Sequence, residues 1–125
     1  MSLNTKYLDN KLALGLMIML AIACPFFFVG GPSAVSPLLF NHLWNLGHIV
    51  FFGGATLLIL QFISLASWRA WLVLSVSVFL VGVSIEFLQK FVGRESSWDD
   101  VLHNLCGFWF ALFWPYSRML IESSG

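Results

Sequence analysis

Composition and charge spacing together indicate an all-α membrane protein, a bundle of four transmembrane helices joined by short loops. Hydrophobic residues make up 59% of the 125-residue chain and only 10% are charged, where an ordinary soluble domain has roughly a quarter charged. The charges are unevenly spread, and none falls within residues 12–68 or 101–117. Since a helix needs about 20 mostly apolar residues to cross a bilayer core of ~30 Å, these stretches have room for membrane spans.

The predicted spans are apolar on nearly every face and cover residues 12–30, 46–67, 70–89 and 101–117. The first follows two lysines, as a signal peptide would, but it is long, lacks a clear small-x-small cleavage site and precedes three similar spans. We therefore expect it to be retained, with Pro25 kinking it or marking its last turns. Because no repeat or linker divides the sequence, residues 1–125 are predicted to form a single domain.

The connections between the spans are predicted to be short. The first runs to Asn45 and is punctuated by turn-forming residues, namely Gly30, Gly31, Pro32 and Pro37. Trp68 and Arg69 are almost the whole of the second connection, and residues 90–100 form the third. Basic residues are enriched on the cytoplasmic side of a membrane, and with both termini inside that side carries four of them against two outside. The predicted orientation is therefore N-in/C-in.

One end of the predicted bundle holds nearly all the polar side chains. The second and fourth spans begin at this end and the third span ends there. Its polar residues are Asn41, His42, Asn45, His48, Glu86, Gln89, Lys90, Arg94, Glu95, Ser96, Ser97, Asp99, Asp100, His103 and Asn104. The opposite end offers Arg69, Arg118 and Glu122. Since a charged group near the membrane must be protonated, paired or facing water, this asymmetry is the strongest functional signal in the sequence.

Helical spacing places small and polar residues of the last two spans on shared faces, with Gly82, Glu86, Gln89 and Gly93 on one and Asp100, Asn104 and Gly107 on the other. Glycine lets a neighbouring backbone approach closely. Glu86 and Gln89 are therefore expected to face a neighbouring helix rather than lipid. Arg94, one to two turns beyond Glu86, is its expected partner.

Two interpretations of these polar residues stay open. The first is a structural network of ion pairs and hydrogen bonds that locks the third loop to the helix ends. The second is a pocket for a small anion or a lipid head group, with Arg94 as a bidentate clamp. We favour the pocket, because a lock needs only two or three such groups. Its predicted ligand-binding residues are His48, Glu86, Gln89, Arg94, Ser97, Asp100 and Asn104.

Other chemistries are less well supported by the spacing. His48 lies at the depth of Glu86, so acid–base catalysis with His48, Glu86 and Asp100 as candidates is left open. No metal and no cofactor are predicted, because the sequence has no His-x-x-x-His or Glu-x-x-His spacing and no Gly-rich phosphate loop. The absence of a basic stripe excludes nucleic acid as a partner. Cys24 and Cys106 lie inside spans at comparable depth, and a disulfide between them is left open.

A combined motif extends across the last three spans. It consists of His48 in Asn45-Leu46-Gly47-His48, then Ile85-Glu86-Phe87-Leu88-Gln89, Gly93-Arg94, Ser97, Asp100-Val101-Leu102, Asn104 and Gly107. Over about residues 43–113 it resembles the VanZ-like family of small bacterial membrane proteins, whose pattern has these residue types at these offsets. The chain departs from that pattern at Trp44 and Asn45, where the family commonly has an Asp-Lys pair, and at Val92, where it often has proline.

The resemblance implies a multi-pass protein of the bacterial cytoplasmic membrane. The founding member of the family is associated with resistance to teicoplanin, but a shared domain does not carry a function with it, and resistance is not predicted here. The missing Asp-Lys pair removes two charges from the expected pocket.

We therefore expect an extracytoplasmic pocket that binds or handles an amphiphilic cell-envelope molecule, such as a lipid-linked precursor or a lipophilic antibiotic. One alternative is a metal-free membrane hydrolase or transferase acting on a lipid phosphate or ester. Another is a structural or accessory subunit of an envelope complex, and self-association is also left open.

Overall fold

The computed structural model describes residues 9–29, 37–63, 65 and 67–123, with the backbone alone for residues 37 and 115–123. The described residues form four α-helices and one short 3₁₀ helix. In chain order they are α1 (Asn10–Ala23), the 3₁₀ helix (Cys24–Phe28), α2 (Pro37–Leu60), α3 (Trp68–Phe91) and α4 (Trp98–Ser123). The prediction of an all-helical chain is confirmed for this part of the protein.

The first helix changes character at its proline. Asp9 begins α1 by accepting hydrogen bonds from the amides of Lys11 and Leu12, each 2.8 Å long. The α-helix ends at Ala23 and continues as the 3₁₀ helix, which has Pro25 in its first turn. Because proline has no amide hydrogen, it cannot continue the α-helical hydrogen bonding. Of the two predicted alternatives, a kink at Pro25 or a place in the last turns of the span, the structure shows the second.

Among the described residues, three stretches are long and apolar enough to cross a membrane: Asn10–Phe28, Leu38–Leu60 and Trp68–Phe91. Large apolar side chains on these helices are exposed, among them Leu12, Ile22, Leu46, Val73 and Leu88. Such an extensive apolar surface is suited to lipid rather than to water. These features indicate a multi-pass membrane protein. The fourth helix has 26 residues but carries polar side chains in its first turns, and it is not one of the three.

Several helix boundaries differ from the prediction. The second helix begins at Pro37 rather than at residue 46, because the helix includes polar residues that hydropathy excludes from a membrane span. It ends at Leu60 rather than at residue 67. The expected loop at Trp68 and Arg69 is wrong. Both residues lie in the first turn of α3, which begins where the Ser67 hydroxyl accepts a hydrogen bond from an amide.

The close contact between α2 and α4 depends on glycine. A Cβ atom added to Gly107 of α4 would overlap the carbonyl oxygen of Ile49 in α2 and would lie 3.0 Å from the amide nitrogen of Gly53. The fourth helix also contacts α3, and α1 packs against α2. The apolar core between the helices consists of Phe27, Phe52, Leu60, Leu74, Val78, Phe108 and Leu112. Cys24 and Cys106 are exposed free thiols, so the disulfide left open from the sequence is not formed.

Candidate functional site

Five buried polar side chains from three helices meet at one end of the structure, and we call them the polar cluster. The members are His48 of α2, Glu86 and Gln89 of α3, and Asp100 and Asn104 of α4. Each is at least nine-tenths buried, with exposed fractions between 0 and 7%. The shared faces predicted from helical spacing therefore do point inward at these positions.

The contact between His48 and Asn104 joins α2 to α4. The Nδ1 atom of His48 lies 2.6 Å from the side-chain oxygen of Asn104. Because an amide oxygen only accepts hydrogen bonds, Nδ1 carries the proton and donates it, which leaves Nε2 of the neutral ring as an acceptor. This Nε2 atom faces Asp100, with 3.8 Å to the nearer carboxylate oxygen, and has no hydrogen-bond partner among the described residues.

Glu86 brings a second carboxylate into the same region. Its Oε2 atom accepts a hydrogen bond of 3.1 Å from the backbone amide of Ser97, which fixes the third loop to α3. Its Oε1 atom is buried and has no partner within the described part of the chain. One ligand atom from each of His48, Glu86 and Asp100 lies within 4.8 Å of the others. Three acceptor groups of the cluster therefore face one another at short range.

Arg94 does not form the expected ion pair with Glu86. Its Nη1 atom donates to the backbone oxygens of Phe27 and Val29, at 2.9 and 3.3 Å, and its guanidinium carbon lies 3.9 Å from the centre of the Trp44 ring. The Phe27 oxygen also accepts a bond of 2.7 Å from the side chain of Gln89. Carbonyl oxygens at the end of the 3₁₀ helix have no N–H donor within the helix. They therefore accept the hydrogen bonds of Arg94 that were expected to go to the Glu86 carboxylate.

The charge of Arg94 is nevertheless influenced by the cluster. Partial burial lowers the pKa of Arg94 below its ordinary value, and the negative charges of Asp100 and Glu86 oppose this shift. A guanidinium stays protonated throughout the physiological range, so Arg94 is a permanent positive charge beside two acidic side chains.

A polar cleft and an apolar groove lie next to the cluster. The polar cleft has a volume of about 480 Å³, and its lining includes Asn41, Trp44, Asn45, Arg94, Asp99 and Asp100. The apolar groove has a volume of about 180 Å³ and is lined by Ala23, Phe26, Phe27, Trp44, Gly47, His48 and Phe51. The indole of Trp44 lines both. A third cavity of about 300 Å³ is lined in part by Glu86 and Lys90.

Two predicted positions have a different role from the one expected. Gly93 is exposed and has a φ of 77°, so it follows the end of α3 in the left-handed conformation that favours glycine and does not belong to the buried face. Ser97 contributes its backbone amide to Glu86, whereas its hydroxyl accepts a hydrogen bond from the amide of Asp99.

Two residues of the site are missing from the prediction. Trp44 stacks on Arg94 and contacts His48 edge to face, and Phe27 supplies the carbonyl that Arg94 and Gln89 share. Trp44 lies one helical turn before His48 on α2, but the predicted span began at residue 46, so helical spacing was not applied to Trp44. Phe27 gives no such signal, because it acts through its backbone.

Comparison with known proteins does not add to these observations. No family model, no curated protein and no solved structure matches this chain. The VanZ-like resemblance is therefore a prediction that depends on the motif itself.

Proposed function

We propose that this chain is a VanZ-like, multi-pass protein of the bacterial cytoplasmic membrane that binds an amphiphilic cell-envelope molecule through its anionic head group. Lipid-linked precursors and lipophilic antibiotics belong to this class of ligand. In the proposed topology α4 is a fourth span, both termini are cytoplasmic and the polar cluster faces the extracytoplasmic side.

Contacts and surface character support α4 as a span. It packs against both α2 and α3, and the polar residues that lower its hydropathy, Asp100 and Asn104, are buried against those helices. Apolar side chains on its outer surface are exposed, including Leu102, Phe110, Phe113 and Trp114. The excess of basic residues near the other end supports the N-in/C-in orientation.

The sharing of Trp44 between the polar cleft and the apolar groove is the observation that carries the proposed function. An amphiphile needs a polar environment for its head group directly beside an apolar one for its chain. Phe26 and Phe51 make the groove suitable for a hydrocarbon chain, and Asn45 and Arg94 make the cleft suitable for a head group.

Arg94 is the group that binds the anion in this proposal. Among the described residues, both hydrogen bonds of the Arg94 guanidinium come from Nη1. The guanidinium has five N–H groups, and those on its other two nitrogens remain for a ligand. Stacking on Trp44 fixes the plane of the guanidinium. Asp99 and Asp100 line the same cleft and would repel a simple anion. The preferred head group therefore combines an anionic phosphate or carboxylate with hydroxyl or ammonium donors.

Removal of the Arg94 charge is expected to abolish head-group selectivity. Native mass spectrometry of the full chain, with a chelator present, measures the affinities for phosphatidylglycerol and for diacylglycerol, which lacks the phosphate, with identical acyl chains. Because a charge-assisted hydrogen bond contributes about 1.5–3 kcal/mol, Arg94→Gln should reduce the preference for phosphatidylglycerol roughly 10- to 100-fold.

Lys90→Gln is the matched control, because it removes one positive charge at the same end from a residue outside the polar cleft. It should leave the preference within about twofold of the unmodified protein, as an exposed charge contributes little. The proposal is wrong if Arg94→Gln keeps the selectivity or if Lys90→Gln removes it equally.

A further inference from the structure

The donor atoms of His48, Glu86 and Asp100 have the chemistry of a metal site. An imidazole nitrogen and two carboxylate oxygens are ligands that divalent transition metals such as Zn²⁺ accept. The three ligand atoms lie within 4.8 Å of one another. Ligands about 2.0–2.2 Å from a zinc ion lie roughly 3.4 Å apart, so side-chain movements of roughly 1 Å would close the site.

Unsatisfied buried atoms point independently to a ligand at this place. His48 Nε2 and Glu86 Oε1 are buried without a hydrogen-bond partner among the described residues, and their side chains are 0 and 5% exposed. A buried polar atom without a partner is costly, and here both atoms are acceptors. A single cation satisfies both and also neutralises the two carboxylates, which carry a high energetic cost inside an apolar bundle.

The groups around the three donors hold them in a suitable arrangement. The bond from His48 Nδ1 to Asn104 leaves Nε2 with its lone pair, which is the form of imidazole that binds a metal. The Ser97 amide fixes Glu86 through its other oxygen. Arg94 bonds the carbonyls of Phe27 and Val29. Its guanidinium is too far from the carboxylates of Glu86 and Asp100 to form an ion pair with either.

We propose that His48, Glu86 and Asp100 bind one divalent transition-metal cation inside the helix bundle. Asp100 also lines the polar cleft, so the remaining coordination positions of the ion open toward that cleft. Three protein ligands with an open position leave room for water or for an anionic ligand. The site does not depend on the proposed head-group binding, which uses Arg94 and Trp44.

A metal titration of the purified full chain in detergent tests this proposal. After treatment with a chelator and its removal, Zn²⁺ is titrated by calorimetry, and Co²⁺ is titrated by its d–d absorption. We expect one equivalent of metal per chain and a Co²⁺ spectrum typical of four or five ligands. His48→Gln, Glu86→Gln and Asp100→Asn should each weaken binding at least about tenfold.

Matched controls come from the same residue types at the same end of the molecule. His42→Gln, His103→Gln and Glu95→Gln alter side chains outside the cluster and should leave the affinity within about twofold. If the cluster variants do not fold, pulsed electron paramagnetic resonance of bound Mn²⁺ decides the question. A histidine nitrogen signal that persists when both other histidines are replaced, in the double variant His42→Gln and His103→Gln, supports the site.

The proposal is overturned if the unmodified chain binds no stoichiometric metal, if the Mn²⁺ signal lacks a nitrogen coupling, or if the control substitutions weaken binding equally. Since the titration contains no lipid and the lipid experiment contains a chelator, either proposal can fail without the other.

Discussion

Gly107→Ala is expected to lower the free energy of unfolding by roughly 2–3 kcal/mol, the upper part of the usual range for overpacking a core. The added methyl group would overlap the Ile49 carbonyl oxygen and lie 3.0 Å from the amide nitrogen of Gly53. Because both are backbone atoms of α2, no change of side-chain rotamer relieves the overlap, and the two helices must move apart. Unfolding of the protein in mixed detergent micelles, followed by circular dichroism, measures the effect.

Gly47→Ala is the appropriate control for this substitution. It lies on α2, and a Cβ atom added there has nothing within 4 Å. Alanine is the better helix former by up to about 1 kcal/mol, so this variant should be as stable as the unmodified protein or slightly more stable. Equal stability of the Gly107→Ala and Gly47→Ala variants would show that α2 and α4 do not pack through Gly107.

Asn104→Ala should have the second largest effect, because Asn104 connects three helices. Its oxygen accepts the hydrogen bond from His48, and a Cβ atom added to Gly82 of α3 would lie 3.1 Å from its nitrogen. Leaving the buried His48 N–H without an acceptor costs roughly 1–3 kcal/mol, and a cavity beside Gly82 adds to that cost. The same unfolding experiment measures the loss.

Two further variants separate the hydrogen bond from a general effect of losing an asparagine. Asn41 is exposed, so Asn41→Ala should change stability by less than about 0.5 kcal/mol. Asn104→Asp keeps an acceptor oxygen for His48 and should recover part of the stability lost in Asn104→Ala. If Asn104→Ala is no less stable than Asn41→Ala, the contact between His48 and Asn104 does not hold the helices together.

The buried faces of α3 and α4 were predictable because an apolar helix leaves few places for polar and very small residues. Glu86 and Gln89 are three residues apart, and Asp100 and Asn104 are four apart, so each pair shares one face of its helix. Lipid excludes such groups from the outer surface, and only the interior of the bundle remains. Helical spacing and the exclusion of polar groups from lipid together predict that each pair faces the interior of the bundle.

The partner of Arg94 and the proposed metal site were not predictable in this way. Arg94 lies in a loop and bonds the backbone of Phe27, and a backbone carbonyl has no residue type that a sequence pattern can detect. His48, Glu86 and Asp100 come from three different helices, so no ligand spacing within one helix indicates the site.

The early start of α2 was missed because hydropathy measures apolar content, whereas a helix can continue through polar residues.

The claim that the polar cleft binds an anionic head group is tested most directly by a high-resolution structure of the protein in nanodiscs of defined anionic lipid. We predict head-group density within hydrogen-bonding distance of Arg94, with an acyl chain in the apolar groove beside Trp44. A cleft that contains only water, with every donor of Arg94 bonded to carbonyls and carboxylates of the protein, would contradict the claim and leave a structural lock in its place.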